Sequence, residues 1–187
     1  MRGPGDVVFV SCYEPGHQPQ GVASAIAFLR RAGFQPTALD LAIEQLDEAA
    51  RARQAAARFV AISVPMHTAL VLGRRVAAQV RQANPRAHLC IFGMYATLNR
   101  ALLAPEADSV LGPDCEPQLV ELAEALAAGN RATVEPLPPG RRPSLVPDRS
   151  GLPPLSKYAR LAIAIVETPM LNGSTIRLDA GQRFAPK

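Results

Sequence analysis

Tryptophan is absent, and aromatic residues make up only 5% of the 187-residue chain. A surface that stacks bases needs aromatic platforms beside clustered positive charge, so this scarcity argues against a nucleic-acid partner. The formal charge of +4 does not reverse that argument. Residues 1–128 carry 11 Lys/Arg against 12 Asp/Glu, and residues 129–187 carry 9 against 4, so the excess belongs to the C-terminal stretch. Cysteine is scarce as well. Cys12, Cys90 and Cys115 have neither metal-ligand spacing nor a pairing logic. That excludes a disulfide scaffold and a zinc finger, and it implies a reducing cytoplasm. No apolar run approaches the length of a membrane span, and no signal peptide precedes the first apolar run, so no membrane partner is expected. No internal repeat is found.

What the chain does have is a hydrophobic content of 48%, enough for one domain with a real core and some extra length. The first apolar run, residues 6–12 (DVVFVSC), is Val-rich and closes into a loop with two prolines, two glycines and His17. Residues 22–33 then carry apolar side chains at helical spacing. The same alternation recurs. Strands are expected at 34–41, 59–64, 88–92 and 108–111, and helices at 44–58, 69–83, roughly 97–103, and 117–128. Asn84-Pro85 stops one helix, and Gly129-Asn130 closes the last.

Short apolar runs alternating with helices predict an α/β doubly wound fold, a five-stranded parallel sheet of flavodoxin-like order 2-1-3-4-5. Ligands of such sheets bind outside the carboxyl ends of the strands. The loops at His17, Met66 and Gly93 are therefore expected to open onto one crevice. The expected division is a domain over 1–129, a Pro-rich linker or wrapping arm over 130–157, and a helix-plus-strand tail over 158–187.

The loops resemble those of the cobalamin-binding fold, whose pattern has D-x-H-x-x-G after the first strand, S-x-L after the third and G-G after the fourth. Here His17 and Gly21 stand in the first loop, one residue further apart than the pattern. Ser63-Val64-Pro65 stands in the second and Gly93-Met94 in the third. The resemblance implies a corrinoid ligand. Its nucleotide tail would slide between sheet and helix, past small residues at Gly21 and Gly93, with Ser63 bonded to the buried base. Pro15 occupies the place of the Asp that orients a cobalt-ligating imidazole in the family. The expectation is thus cobalamin bound base-off, with His17 not on the cobalt and no protein metal ligand.

A more specific resemblance is to the N-terminal domain of cobalamin-dependent radical S-adenosylmethionine proteins. Tyr13-Glu14-Pro15-Gly16-His17-Gln18-Pro19, Ser63 to Thr68, Glu116-Pro117, the stretch 147–155 and Tyr158-Ala159-Arg160-Leu161 carry it, over about residues 5–161. It implies a cofactor site around Tyr13, Gly16, His17, Gly21, Ser63, Val64, Met66, His67, Gly93, Met94, Tyr95 and Gly112. The C-x-x-x-C-x-x-C motif of the cluster domain does not follow, so no iron–sulfur cluster and no catalytic centre are expected. Instead, residues 165–187 resemble the end of a short-chain dehydrogenase, through Met170-Leu171-Asn172-Gly173 and Ile176-Arg177-Leu178-Asp179. Neither the Gly-rich nucleotide loop nor the Y-x-x-x-K pair of that family is present. The chain thus reads as a truncated N-terminal part joined near residues 160–164 to a foreign end. That end is expected to fray or to add to a sheet edge and promote self-association.

Plainer readings stand beside these. His17 can cap its own loop, His67 can make a helix-entry hydrogen bond, Met66 and Met94 can fill gaps in the core, and Glu116 can answer a helix dipole. The functional alternatives to a corrinoid-binding module are a short-chain oxidoreductase, resting on the tail alone, and a ligand-free interaction fragment of the same fold.

Overall fold

The computed structural model describes residues 1–14, 18–44, 48–130 and 144–152. The elements are β1 (Val7–Ser11), α1 (Gln20–Arg31), β2 (Thr37–Asp40), α2 (Glu48–Ala56), β3 (Phe59–Ser63), α3 (His67–Ala83), β4 (His88–Phe92), α4 (Met94–Leu98), α5 (Arg100–Leu103), β5 (Ser109–Leu111) and α6 (Glu116–Ala127). The five strands form one parallel sheet in the order β2-β1-β3-β4-β5. This is the doubly wound, flavodoxin-like arrangement expected from the sequence.

Strands covered on both faces have no polar side to show, which is why they read as near-continuous apolar runs. Side-chain alternation then divides them between two cores. Val7, Phe9, Phe59, Ala61, Cys90, Phe92 and Leu111 pack against α1 and α6. Val8, Val10, Val60, Ile62, Leu89, Ile91 and Val110 pack against α3 and the region of α4 and α5. Each fully buried Val, Leu, Ile or Phe stabilises the fold by roughly 1.5–3 kcal/mol relative to exposure. Gly73 lets α3 lie close on the second face, since a Cβ there would meet Val64 Cγ1 at 2.9 Å.

Three boundaries differ from the sequence reading. Phe34 is not in β2: its N–H returns to Leu29 O at 3.0 Å, finishing the end of α1, and β2 begins only after Pro36. The helix expected over 97–103 is two short helices that begin at Met94 and break at Asn99, whose Nδ2 donates to Tyr95 O at 2.8 Å. α3 begins at His67, two residues before the first periodic apolar position.

The part of the Pro-rich stretch that is described, residues 144–152, is neither helix nor strand and lies along α1. Asp148 N–H donates to Ala23 O at 3.0 Å, Arg30 pairs with the Asp148 carboxylate, and Arg149 donates to Gln20 Oε1 at 2.7 Å. Leu152 is buried among the α1 and α6 side chains. The helix-plus-strand tail expected over 158–187, with its dehydrogenase-like words, lies outside the described residues. Among the described residues no helix is long and apolar enough to cross a membrane.

Candidate functional site

The chain leaves β1 toward α1 on one face and β3 toward α3 on the other, so a crevice must open between these neighbouring strands. A cavity of about 600 Å³ lies on the α1 and α6 side of it. Its wall includes Glu14 from the loop after β1, Gly21 and Ser24 from the start of α1, Ser63 from the end of β3, Phe92 from the end of β4, and Gly93 and Met94 after it. Cys115, Glu116 and Leu119 at the start of α6, together with Ser144, complete it. A larger cavity, about 800 Å³, lies at the opposite end of the sheet among Arg58, Arg81, His88 and Asp108. Position rather than size decides between them, because doubly wound sheets hold ligands at the carboxyl end.

The small residues are where a ligand would need room. A Cβ on Gly21 would be in ordinary van der Waals contact with Ser63 Oγ at 3.9 Å, so the bare glycine leaves about a methyl group's room beside that hydroxyl. Ser63 Oγ makes no hydrogen bond among the described residues, although the residue is only 3% exposed. Gly93 has φ 118° and ψ −179°, a conformation that is essentially reserved for glycine. A Cβ there would also sit 3.0 Å from the backbone of Val64. Gly93 thus seats the β4 loop on the β3 loop while lining the cavity.

Two carboxylates frame the mouth. Glu14 is buried and its Oε2 accepts the Gln20 N–H at 3.3 Å, where α1 has unpaired amides. Glu116, in the first turn of α6, accepts a 2.6 Å hydrogen bond from Ser24 Oγ and so ties the two helices together across the cavity.

Of the residues expected around the cofactor, Gly21, Ser63, Gly93 and Met94 come together on this cavity. Others serve its frame or lie elsewhere. Val64 is buried in the opposite core; its N–H donates to Phe92 O at 2.8 Å and its carbonyl accepts from Tyr95 N–H at 3.2 Å. Met66 offers its carbonyl to Leu70 N–H at the start of α3. His67 is exposed there, its ring edge-on to Tyr95 with centroids 6.5 Å apart. Gly112 leaves room for Thr97 Oγ1, which a Cβ would meet at 2.8 Å. Tyr13 is half-buried and does not line the cavity. Gly16 and His17 lie outside the described residues. The sequence reading missed Ser24, Cys115 and Ser144, and gave Glu116 only a dipole role; nothing local marks residues that meet from opposite ends of a domain.

Two of the three thiols, those of Cys12 and Cys90, are unreactive by placement. Burial, with Asp40 adding to it, pushes Cys12 up to about 12, and burial likewise raises Cys90. Both stay protonated at neutral pH. Among the described residues no group of three or more His, Cys, Asp or Glu could hold a metal ion.

The chain belongs to the B12 binding domain family, whose model matches residues 6–120, from the residue before β1 into α6. No curated protein matches it. Among solved structures it resembles a response regulator protein from Burkholderia pseudomallei, determined with a phosphorylated aspartic acid, a calcium ion and citrate. The identity is 15% and the TM-score 0.43, over 87% of this chain and 74% of that one. That likeness is too remote to bear on the ligand.

Proposed function

We propose that this chain is a corrinoid-binding module that takes cobalamin base-off, with its nucleotide tail in the cavity between α1 and α6. The observation that carries the reading is the cavity itself: one opening at the switch point, with Gly21, Ser63 and Gly93 meeting on it from three separate loops. The residues present suit such a ligand. Gly21 leaves the helix start open, Ser63 has a free hydroxyl for a ring nitrogen, and Ser24 and Glu116 offer polar groups to the amide and sugar portions. The loops after β1, β3 and β4 remain to hold the corrin ring. Bound there, the corrinoid supplies radical chemistry that side chains lack; the chain's residues bind it, orient it and exclude water from the tail.

The finer reading, without a protein imidazole on the cobalt, is supported by Pro15 at the place of the orienting Asp. Kinship with cobalamin-dependent radical S-adenosylmethionine proteins is supported by the words at 13–19, 63–68, 116–117 and 147–161. On that reading the module serves a cluster-bearing catalytic domain. Equilibrium dialysis of the full chain against hydroxocobalamin tests the proposal. Near-stoichiometric retention with a base-off visible spectrum is expected, little changed in His17→Ala. Absence of retained cobalamin refutes the reading, and loss of cobalt-ligand absorbance in His17→Ala refutes its finer part.

A further inference from the structure

Residues 144–152 return to the cavity from far along the chain and form a strap on α1. Ser144 stands in the cavity wall, and so does Gln20, whose Oε1 accepts an N–H of Arg149 at 2.7 Å. The Gln20 backbone N–H goes to Glu14 Oε2 at 3.3 Å, so one residue ties the strap to the loop after β1. Asp148 N–H donates to Ala23 O at 3.0 Å, and Arg30 bonds both the Asp148 carboxylate and Ser150 Oγ. The strap also holds its own shape. Asp148 Oδ1 accepts the Ser150 N–H at 3.0 Å and its O–H at 2.8 Å, and Leu152 N–H closes on Arg149 O at 3.0 Å. Leu152, only 6% exposed, is its apolar anchor among the α1 and α6 side chains.

None of these bonds belongs to the sheet, to which the strap adds no strand among the described residues. A carbonyl in the body of a helix already accepts the amide four residues on, so α1 keeps its own ladder when the strap leaves. The polar contacts are partly exposed and individually weak, while the buried Leu152 favours the docked form. A segment held in this way opens locally, as a unit, well short of global unfolding. We propose that residues 144–152 are a gate on the cavity. Docked on α1 they complete its wall, and by leaving α1 together they admit and release the ligand while the sheet stays folded. That the ligand passing the gate is a corrinoid rests on the reading above; the gate itself does not. The cavity carries its own reporter. Cys115 is a free thiol in the same wall and is only 2% exposed. Cys12 and Cys90 are buried in the two cores and do not line the cavity.

The test is the double variant Asp148→Ala, Arg149→Ala in the full chain, which loosens the strap and leaves every residue of the sheet and of α1 in place. Alkylation by iodoacetamide, a small neutral reagent, is followed at each cysteine by mass spectrometry without ligand. Cys115 is expected to react about tenfold faster in the variant, with Cys12 and Cys90 unchanged and the melting temperature close to that of the wild type. An unchanged Cys115 rate overturns the inference. So does an equal rise at all three cysteines, or a variant that fails to fold, because either makes the strap part of the cooperative core. Uptake and release of hydroxocobalamin, followed by its visible spectrum, give a second reading. Both are expected to be about tenfold faster in the variant. Faster release with unchanged uptake shows a binding contact rather than a gate, and overturns the inference. Wild-type protein that takes up no cobalamin refutes the corrinoid reading alone, since the thiol rates decide the gate without it.

Discussion

Asp108 shows how a single side chain fastens the end of the sheet away from the candidate site. Its Oδ2 accepts the Leu89 N–H at 2.8 Å and a guanidinium N–H of Arg81 at 2.8 Å. Burial alone would raise its pKa, but the Leu89 N–H, the Arg81 bond and charge and the nearby His88 together hold the carboxyl below its ordinary value. The sign follows directly. A carboxyl with a folded pKa below its unfolded one adds stability that is fully present above the unfolded value of about 3.9 and is lost as pH falls through the folded value. Asp108 and Arg81 are both more than a third exposed, so screening keeps the effect small. Asp108→Asn is expected to lose about 0.5–1 kcal/mol at neutral pH, with the gap to wild type closing below about pH 4. Urea denaturation across that range measures it. A gap that persists or widens in acid would contradict the assignment.

At the scale of elements, the loop after β4 is where backbone geometry and site coincide. Gly93→Ala puts a Cβ into a conformation that costs of order 1–3 kcal/mol for a non-glycine residue. It also brings that Cβ within 3.0 Å of Val64 C and O, which are backbone atoms and cannot turn aside. The expected result is a destabilisation of about 3 kcal/mol or more, read from the denaturation midpoint; a loss below about 1 kcal/mol would mean the loop has another conformation available.

The elements themselves were largely legible. Val7 to Val10 and Phe59 to Ile62 are buried on both faces, and such strands are apolar at every position, so they stand out without an alignment. Boundaries were less so, because they are set by single bonds. Asn99 ends α4 by donating to Tyr95 O, and Phe34 leaves β2 by completing α1. The candidate site was legible only where it sits at strand ends. Gly21, Ser63 and Gly93 could be read from their loops, whereas the meeting of Ser24 with Glu116, 92 residues apart, is written in no local pattern.

The whole molecule joins the sheet to a segment that composition alone describes as linker. Residues 144–152 reach back to α1 through Asp148, Arg149 and Leu152, and Ser144 takes part in the cavity wall. The helix that borders the cavity is thereby held from two sides, by α6 through Glu116 and by this returning strap through Arg30. Each contact is partly exposed and modest by itself. Together they fix the position of α1 over the sheet, and with it the width of the cavity.

The central claim is that the space between α1 and α6 receives the corrinoid's tail, and filling that space tests it most directly. Gly21 lies inside α1, and a Cβ there would be in ordinary contact with Ser63 Oγ at 3.9 Å, so a side chain is compatible with the helix backbone and the outer carbons of a leucine must enter the cavity. Its side chain would extend toward Ser63 and occupy the slot. The measurement is cobalamin retained in equilibrium dialysis by the wild type and by Gly21→Leu, with melting temperature recorded for both. The expected result is near-stoichiometric retention by the wild type, at least a tenfold loss in the variant, and an unchanged melting temperature. Equal retention by a folded Gly21→Leu, or none by the wild type, would contradict the account.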